Sequence, residues 1–210
     1  MSKQSDFVYK KSAIKILHHK NFINFVLAKQ KLFFKKLFCD FCFLFQKQFN
    51  KIFYCNIDID FCTGSVEYNS IYLNQKYLKF IGKSFFLDNY SNECLVLISR
   101  FFASMFIGNM FGNCKVHVDV QNRNLKLTKN EMYVLDGLLE KIFFIFNETF
   151  LKKISSSVIN TGQYIQLDSL LSNNFIYTSY VCFTFLIYIN NHKSRLKIYF
   201  PRYIVGDLQK

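Results

Sequence analysis

With 210 residues, 51% of them hydrophobic, the chain is long enough and apolar enough to bury a core, which excludes a disordered tail. Its formal net charge of +13 has the sign that nucleic-acid binding requires. The excess is almost entirely lysine, however, and the only arginines are at positions 100, 123, 195 and 202. Heavy use of Phe, Ile, Asn, Tyr and Lys is typical of AT-rich coding, and no RNP-like run or helix-turn-helix spacing accompanies the charge. The composition therefore argues against a nucleic-acid partner.

The seven cysteines are an odd number in apolar surroundings, with no secretory leader before them, which predicts a reduced, cytoplasmic compartment. Cys39 and Cys42 have the spacing of half a zinc site, with Cys55 and Cys62 as the remaining candidates. The second pair is too widely spaced, and the flanks are Leu and Phe without Gly. This pattern favours cysteines packed on an apolar helix, so we predict no metal and no cofactor.

No run of about 18 consecutive apolar residues, the length that a membrane-spanning helix needs, occurs in the sequence. The longest candidate, Phe175 to Ile189, contains Thr178, Ser179 and Thr184 and is rich in aromatic and β-branched residues. Such a composition predicts a buried strand. We therefore expect any contact with a membrane to be peripheral, through a larger complex.

The predicted elements of the first half begin with a helix or helix pair, which Ser12 caps and which runs to about Asn50. Its helical spacing places Phe33, Leu37 and Phe41 on the buried stripe. The elements that follow are a strand at Asn56 to Phe61, a connecting segment at Ile71 to Leu78, a hairpin of Lys83 to Leu87 with Cys94 to Ile98 turning at Asp88 to Asn92, and a helix from Arg100 to Met110 capped by Ser99.

The second half opens on the capping box Thr128-x-x-Glu131, followed by an apolar helical stripe from Met132 to Phe150. A strand near Ser155 to Leu167 precedes a hairpin of Phe175 to Ile189 with Leu196 to Phe200, turning at Asn190 to Lys193, and Pro201 then suits the first turn of a short closing helix. Both halves therefore have the order helix, strand, hairpin, short helix. This repetition predicts a pseudo-two-fold α/β domain with central strands and outer helices.

Four segments carry a resemblance to a known family. They are Cys94-Leu-Val-Leu-Ile-Ser99, Asn109-Met-Phe-Gly112, Leu127-Thr-Lys-Asn-Glu131 and Leu196-Lys-Ile-Tyr-Phe-Pro201. Their order and spacing resemble the middle domain of the flagellar motor switch family FliM over residues 12 to 208. We accordingly predict an N-terminal tail at residues 1–11 and one FliM-middle-like domain at residues 12–210.

The resemblance implies a CheC-like fold, a three-layer α/β/α sandwich around a mixed, mostly antiparallel sheet. It implies a FliG-like switch protein as the partner of one loop, together with neighbouring copies of the chain in a ring and a FliN-like protein. In this chain the resemblance assigns the partner-binding loop to Met110, Phe111, Gly112, Asn113, Cys114 and Lys115. Of the family's Gly-Gly-x-Gly only Gly112 is retained, while Asn113 tolerates a positive φ and Lys115 adds a β-carbon and a charge.

Two departures from the family bear on function. The segment Met1 to Lys11 has nothing like the family's CheY-binding sequence, and the chain ends at Lys210, where the family continues into a FliN-like domain. We therefore expect a reduced scaffold without CheY-dependent switching, cytoplasmic and peripheral to the inner membrane at the flagellar basal body. The alternatives are a homologous ring protein of a type III secretion apparatus and a basic RNA- or ribosome-associated protein.

Related CheC-type phosphatases need Glu and Asn at Glu-x-x-Asn spacing on their paired helices. Here the positions three residues after Glu131, Glu140 and Glu148 hold Val, Phe and Leu, so the motif is absent from the second long helix. The histidines are scattered, and no Ser or Cys has an evident base partner. We therefore expect no enzymatic activity.

Overall fold

A computed structural model describes residues 26–53, 56–67, 80–88, 90–112, 127–153, 156–166, 180–190 and 192–207. The helices are α1 (Lys31–Leu37), α2 (Cys39–Phe53), α3 (Arg100–Met110), α4 (Lys129–Phe146), which continues into a π-helical turn (Asn147–Leu151), and α5 (Arg202–Asp207). The strands are β1 (Ile57–Glu67), β2 (Phe80–Leu87), β3 (Cys94–Ser99), β4 (Val158–Gln166), β5 (Tyr180–Ile189) and β6 (His192–Pro201). The predicted tail, the Ser12 cap and the connecting segment Ile71 to Leu78 lie outside the described residues.

The six strands form one sheet in the order β1-β5-β6-β3-β2-β4, and every described pairing is antiparallel. If each strand is exchanged for its counterpart in the other half, β1 for β4, β2 for β5 and β3 for β6, the same order is obtained in reverse. The strand order is therefore two-fold symmetric about the central β3–β6 pair. The predicted pseudo-two-fold α/β fold, with a mostly antiparallel sheet, is confirmed.

Two asparagines make the same contact in the two halves. Asn50, near the end of α2, accepts a hydrogen bond of 2.6 Å from the backbone N–H of Ile57, the first residue of β1. Asn147, at the end of α4, accepts one of 3.1 Å from the N–H of Val158, the first residue of β4. Each long helix is thus tied to the edge strand that follows it, which fixes where both strands begin.

The core lies between the helices and one face of the sheet and consists largely of phenylalanine. In α1 and α2 the buried positions recur every three or four residues, at Phe34, Phe38, Phe41, Phe45, Phe49 and Phe53. The predicted core positions Phe33 and Leu37 are therefore each one residue before the buried Phe34 and Phe38, since Phe33 is 46% exposed, whereas the predicted Phe41 is buried. The opposite face of the sheet also carries buried side chains, Leu95, Leu97, Cys182 and Tyr199, as the central layer of a three-layer sandwich requires.

The β5–β6 hairpin is tighter than the predicted four-residue turn. Ile189 pairs with His192, so only positions 190 and 191 connect the strands, and Asn190 has φ = 48°. Asparagine reaches this left-handed conformation more readily than most residues, which allows the short connection. His192 and Lys193 therefore belong to β6. At the other end of β6, Pro201 is the last strand residue and directly precedes α5, one position before the predicted first helical turn.

The two predicted helix caps that lie within the described residues, at Ser99 and Thr128, are present. Ser99 Oγ accepts a hydrogen bond of 3.2 Å from the N–H of Phe102 at the start of α3. At the start of α4, Thr128 Oγ1 accepts from the N–H of Glu131 at 3.3 Å, and the Glu131 carboxylate accepts from the Thr128 N–H at 2.8 Å. Three backbone amides at the starts of these helices, which have no intrahelical partner, are satisfied in this way.

Thr128→Ala is expected to lower the free energy of unfolding by about 1 kcal/mol, because the Glu131 amide loses its acceptor. Chemical denaturation followed by circular dichroism measures this difference. Asn130→Ala is the control, because Asn130 is exposed and lies two residues after Thr128. It is expected to change the free energy of unfolding by less than about 0.5 kcal/mol. Equal effects of the two substitutions would show that the capping box does not stabilise α4.

Candidate protein-interaction site

The end of α3 is held rigidly against the rest of the domain. Phe102, Ala103 and Phe106 are buried in the core. Asn109 Nδ2 donates a hydrogen bond of 2.7 Å to the backbone carbonyl of Ile52 near the end of α2. The last turn of α3 is therefore fixed in position by both packing and a hydrogen bond to a neighbouring helix.

Beyond this anchored turn the chain presents two apolar side chains to solvent. Met110 is 56% exposed and Phe111 is 60% exposed. The helix ends at Met110 with Phe111 as its C-cap, and the next residue, Gly112, has φ = 76° and donates its N–H to the carbonyl of Asn109 at 3.2 Å. Glycine is the residue that most readily adopts this left-handed conformation at a helix end. We call Met110, Phe111 and Gly112 the α3 tip.

The α3 tip covers the first half of the loop that the sequence singled out. Asn113, Cys114 and Lys115, the other three predicted residues, lie outside the described residues. Neither Met110 nor Phe111 can donate or accept a proton, and both can fill an apolar pocket on another molecule. Exposed apolar side chains on a rigid support are typical of a protein contact and do not provide the groups that a catalytic site needs.

A second exposed apolar surface lies on the outer sides of α2 and α4, and the sequence did not reveal it. The two helices pack together through Phe41 and Phe146, whose ring centroids are 5.7 Å apart. On the outer side of α2, Phe43 is 67% exposed, and on α4 Tyr133 is 81% and Phe144 is 56% exposed. The signal was present as the spacing of Tyr133, Gly137, Glu140 and Phe144 on the polar side of α4. We call Phe43, Tyr133 and Phe144 the helix-pair face.

The two halves of the helix-pair face carry different charges. Around Phe43, α2 exposes Lys47 and Lys51. Around Phe144, α4 exposes Glu140 and Glu148, the latter in an ion pair of 2.6 Å with Lys152. The α2 side is therefore basic, and on the α4 side Glu140 is an exposed carboxylate of opposite charge, whereas the charge of Glu148 is balanced by Lys152.

Of the four cysteines considered as zinc ligands, Cys55 lies outside the part of the chain that is described, and Cys39, Cys42 and Cys62 lie within it. Cys39 is exposed, Cys42 and Cys62 are half-buried, and no group of three or more His, Cys, Asp or Glu there could hold a metal ion. Burial, together with the nearby Asp60 carboxylate, raises the pKa of the Cys42 thiol to about 12. Burial likewise raises the pKa of Cys94. These two thiols remain protonated at neutral pH and are poor nucleophiles.

Among the described helices, none has the length and apolar character needed to cross a membrane.

The fold recurs in solved structures. Neither a protein-family model nor a curated protein matches the sequence. A chain of the FliG-FliM complex from H. pylori superimposes with a TM-score of 0.69 at 13% identity, over 87% of this chain and 98% of that chain. The FliM middle domain from H. pylori gives 0.66 at 12% identity, over 86% of this chain and 97% of that one. FliY from Thermotoga maritima gives 0.63 at 10% identity, over 86% and 94%.

These likenesses place the chain in the class of two-fold α/β domains that FliM and FliY share. More particularly, the chain has the fold of the FliM middle domain, as the four sequence segments predicted.

Proposed function

We propose that the chain is a non-enzymatic, FliM-like scaffold of the flagellar motor switch complex, which binds a FliG-like protein and neighbouring copies of itself. The observation that carries the proposal is the α3 tip on a FliM middle-domain fold. In this role the chain lies on the cytoplasmic side of the inner membrane, peripheral to it, at the basal body. A FliN-like protein is a further partner in the same complex.

The contact with the FliG-like protein is assigned to the predicted loop, Met110 to Lys115. The fold matches that of a chain of a FliG-FliM complex. Met110 and Phe111 are supported by a buried helix, so little conformational freedom is lost when a partner covers them. An aromatic side chain at the centre of a contact commonly contributes much of its free energy, and Phe111 is the candidate for that part.

Contact between neighbouring copies is assigned to the helix-pair face. When α2 of one copy meets α4 of the next, the exposed lysines of α2 lie against Glu140 of α4. Phe43 then packs against Tyr133 and Phe144. Because two different surfaces meet, the contact is heterologous, and repeated contacts of this kind close into a ring when the rotation between copies permits.

Phe111→Ser tests the partner contact, with Phe43→Ser as the matched control, since the two phenylalanines are 60% and 67% exposed. Phe111→Ser is expected to weaken binding of the cognate FliG-like middle domain by about 30-fold or more, because a central apolar contact is lost. Phe43→Ser is expected to leave that affinity unchanged within about twofold. Isothermal titration of the purified proteins measures both affinities, and thermal unfolding checks that both variants are folded.

The same two variants also test the contact between neighbouring copies, with Phe43→Ser as the test and Phe111→Ser as the control. Sedimentation velocity is expected to show weaker self-association for Phe43→Ser and wild-type self-association for Phe111→Ser. Asn113→Trp combined with Lys115→Glu extends the test to the rest of the loop. If Phe111→Ser and this double variant both bind the FliG-like domain as well as the wild type does, the loop is not the contact.

A further inference from the structure

The outer side of α1 combines lysines with exposed apolar residues. Four of the eight residues from Lys29 to Lys36 are lysines, and none is acidic. Between them, Leu32 is 81% exposed and Phe33 is 46% exposed. We call this surface the α1 face; it consists of Lys29, Lys31, Leu32, Phe33, Lys35 and Lys36.

The inner side of the same helix fixes the direction of the α1 face. Phe34 is fully buried, with its ring centroid 5.0 Å from that of Phe183 on β5 and 6.3 Å from that of Phe61 on β1. Leu27, about two turns before it, and Phe38, one turn after it, are also buried. Rotating the helix to hide Leu32 and Phe33 would expose these core residues. The α1 face therefore stays outward in the folded domain.

The electrostatic surroundings of the α1 face remain positive. Asp40 is the only acidic residue between Val26 and Ile57. Its carboxylate forms an ion pair of 2.6 Å with Lys153, whose Nζ also donates to the backbone carbonyl of Leu37 at 3.3 Å. Lys153 thus balances the one carboxylate in this stretch of sequence, and the excess of lysines over acidic residues gives the stretch a net positive charge.

We propose that the α1 face binds an anionic lipid bilayer, with the lysines against headgroup phosphates and Leu32 and Phe33 inserted at the boundary with the acyl chains. Lysines beside Leu and Phe on one side of a surface helix are the composition of an interfacial helix. Long lysine side chains reach the headgroups while their methylene stems cover the apolar boundary. No arginine occurs in this surface, whereas bidentate recognition of nucleic-acid phosphate or of a carboxylate favours arginine.

This inference goes beyond the proposed scaffold function and does not depend on it, because the α1 face shares no residue with the α3 tip. A direct lipid contact would hold the domain at the membrane surface in addition to any protein partner.

Vesicle flotation with the full chain tests the proposal, using phosphatidylcholine vesicles with and without phosphatidylglycerol. The wild type is expected to bind only the anionic vesicles, and less at high ionic strength. Lys35→Glu with Lys36→Glu is expected to reduce that binding by about tenfold or more. Leu32→Ser with Phe33→Ser, which changes no charge, is expected to reduce it by about fivefold or more. Lys193→Glu with Arg195→Glu, at exposed positions of β6, is the charge-matched control and is expected to retain binding within about twofold.

Each other outcome overturns the proposal. If the β6 control variant loses as much vesicle binding as Lys35→Glu with Lys36→Glu does, the overall charge of the chain alone drives binding. If Leu32→Ser with Phe33→Ser binds the anionic vesicles as well as the wild type does, the apolar residues do not insert and the surface binds polyanions in general. RNA would then replace the vesicles as the probe. Absence of vesicle binding would assign the α1 face to a protein partner. Loss of self-association by Leu32→Ser with Phe33→Ser, measured by sedimentation velocity, would assign it to a second copy of the chain. Failure of FliG binding would leave this result unaffected, so the two proposals are tested separately.

Discussion

Phe38→Ala is expected to lower the free energy of unfolding by about 3 to 5 kcal/mol, because it removes a fully buried aromatic side chain from the meeting point of several elements. The Phe38 ring stacks on Phe150 at 4.7 Å and on Phe61 at 5.4 Å between centroids. It also meets Phe183 and Phe185 edge to face, each at 5.1 Å. The cavity would therefore weaken the packing of the α1–α2 junction against the π-helical turn, against β1 and against β5 at the same time. Urea denaturation monitored by circular dichroism measures the change.

Phe43→Ala is the control for Phe38→Ala, since it makes the same chemical change on α2 at a position that is 67% exposed. It is expected to change the free energy of unfolding by less than about 0.5 kcal/mol. Comparable destabilisation by the two substitutions would contradict the placement of Phe38 in the core and of Phe43 on the surface.

Gly82→Ala is expected to destabilise the domain by about 3 kcal/mol or more, because the added methyl group has no room. A β-carbon at Gly82 would overlap the backbone carbonyl oxygen of Val96 on β3 and lie 2.8 Å from Leu97 Cδ2. Gly82 pairs with Leu97 on one side and with Ile165 of β4 on the other, so the backbone cannot move without breaking one of the two pairings. Thermal and chemical unfolding both report this effect.

Gly137→Ala is the matched control and should have the opposite sign. Gly137 lies inside α4, and nothing is within 4 Å of the position that its β-carbon would occupy. Alanine in a helix interior is favoured over glycine by about 0.5 to 1 kcal/mol, so this variant is expected to be more stable than the wild type. Destabilisation by Gly137→Ala, or tolerance of Gly82→Ala, would contradict the packing of the sheet or of α4.

The features predicted best from the sequence are those that depend only on residues close together in the chain. The capping box at Thr128 and Glu131 depends only on residue types at fixed spacing, and both of its hydrogen bonds are present in the structure. Element order in the two halves likewise sufficed to predict the pseudo-two-fold α/β fold. The strand order was not predictable in this way, because the pairing of β1 with β5 and of β2 with β4 joins segments far apart in the chain.

The errors have identifiable physical causes. Adjacent phenylalanines at positions 33 and 34 allow two helical stripes of equal apolar character, and the sheet contacts of Phe34 decide between them. The two-residue turn at Asn190 was missed because polar His192 and Lys193 resemble turn residues, although both lie in β6. The helix-pair face was missed because the sequence analysis followed only the buried stripe of α4, although the spacing of Tyr133 and Phe144 with Glu140 places both aromatics on the polar side of the helix.

Photo-crosslinking within cells tests the central claim most directly, by placing a photoreactive phenylalanine analogue at position 111 and, in a separate strain, at position 43. These two phenylalanines have similar exposure but lie on the α3 tip and on the helix-pair face, respectively. The account predicts that position 111 forms a crosslink to the FliG-like switch protein and that position 43 forms one to a second copy of the chain. Absence of a FliG-like product at position 111, in cells where position 43 still crosslinks, would contradict the proposed role of the α3 tip.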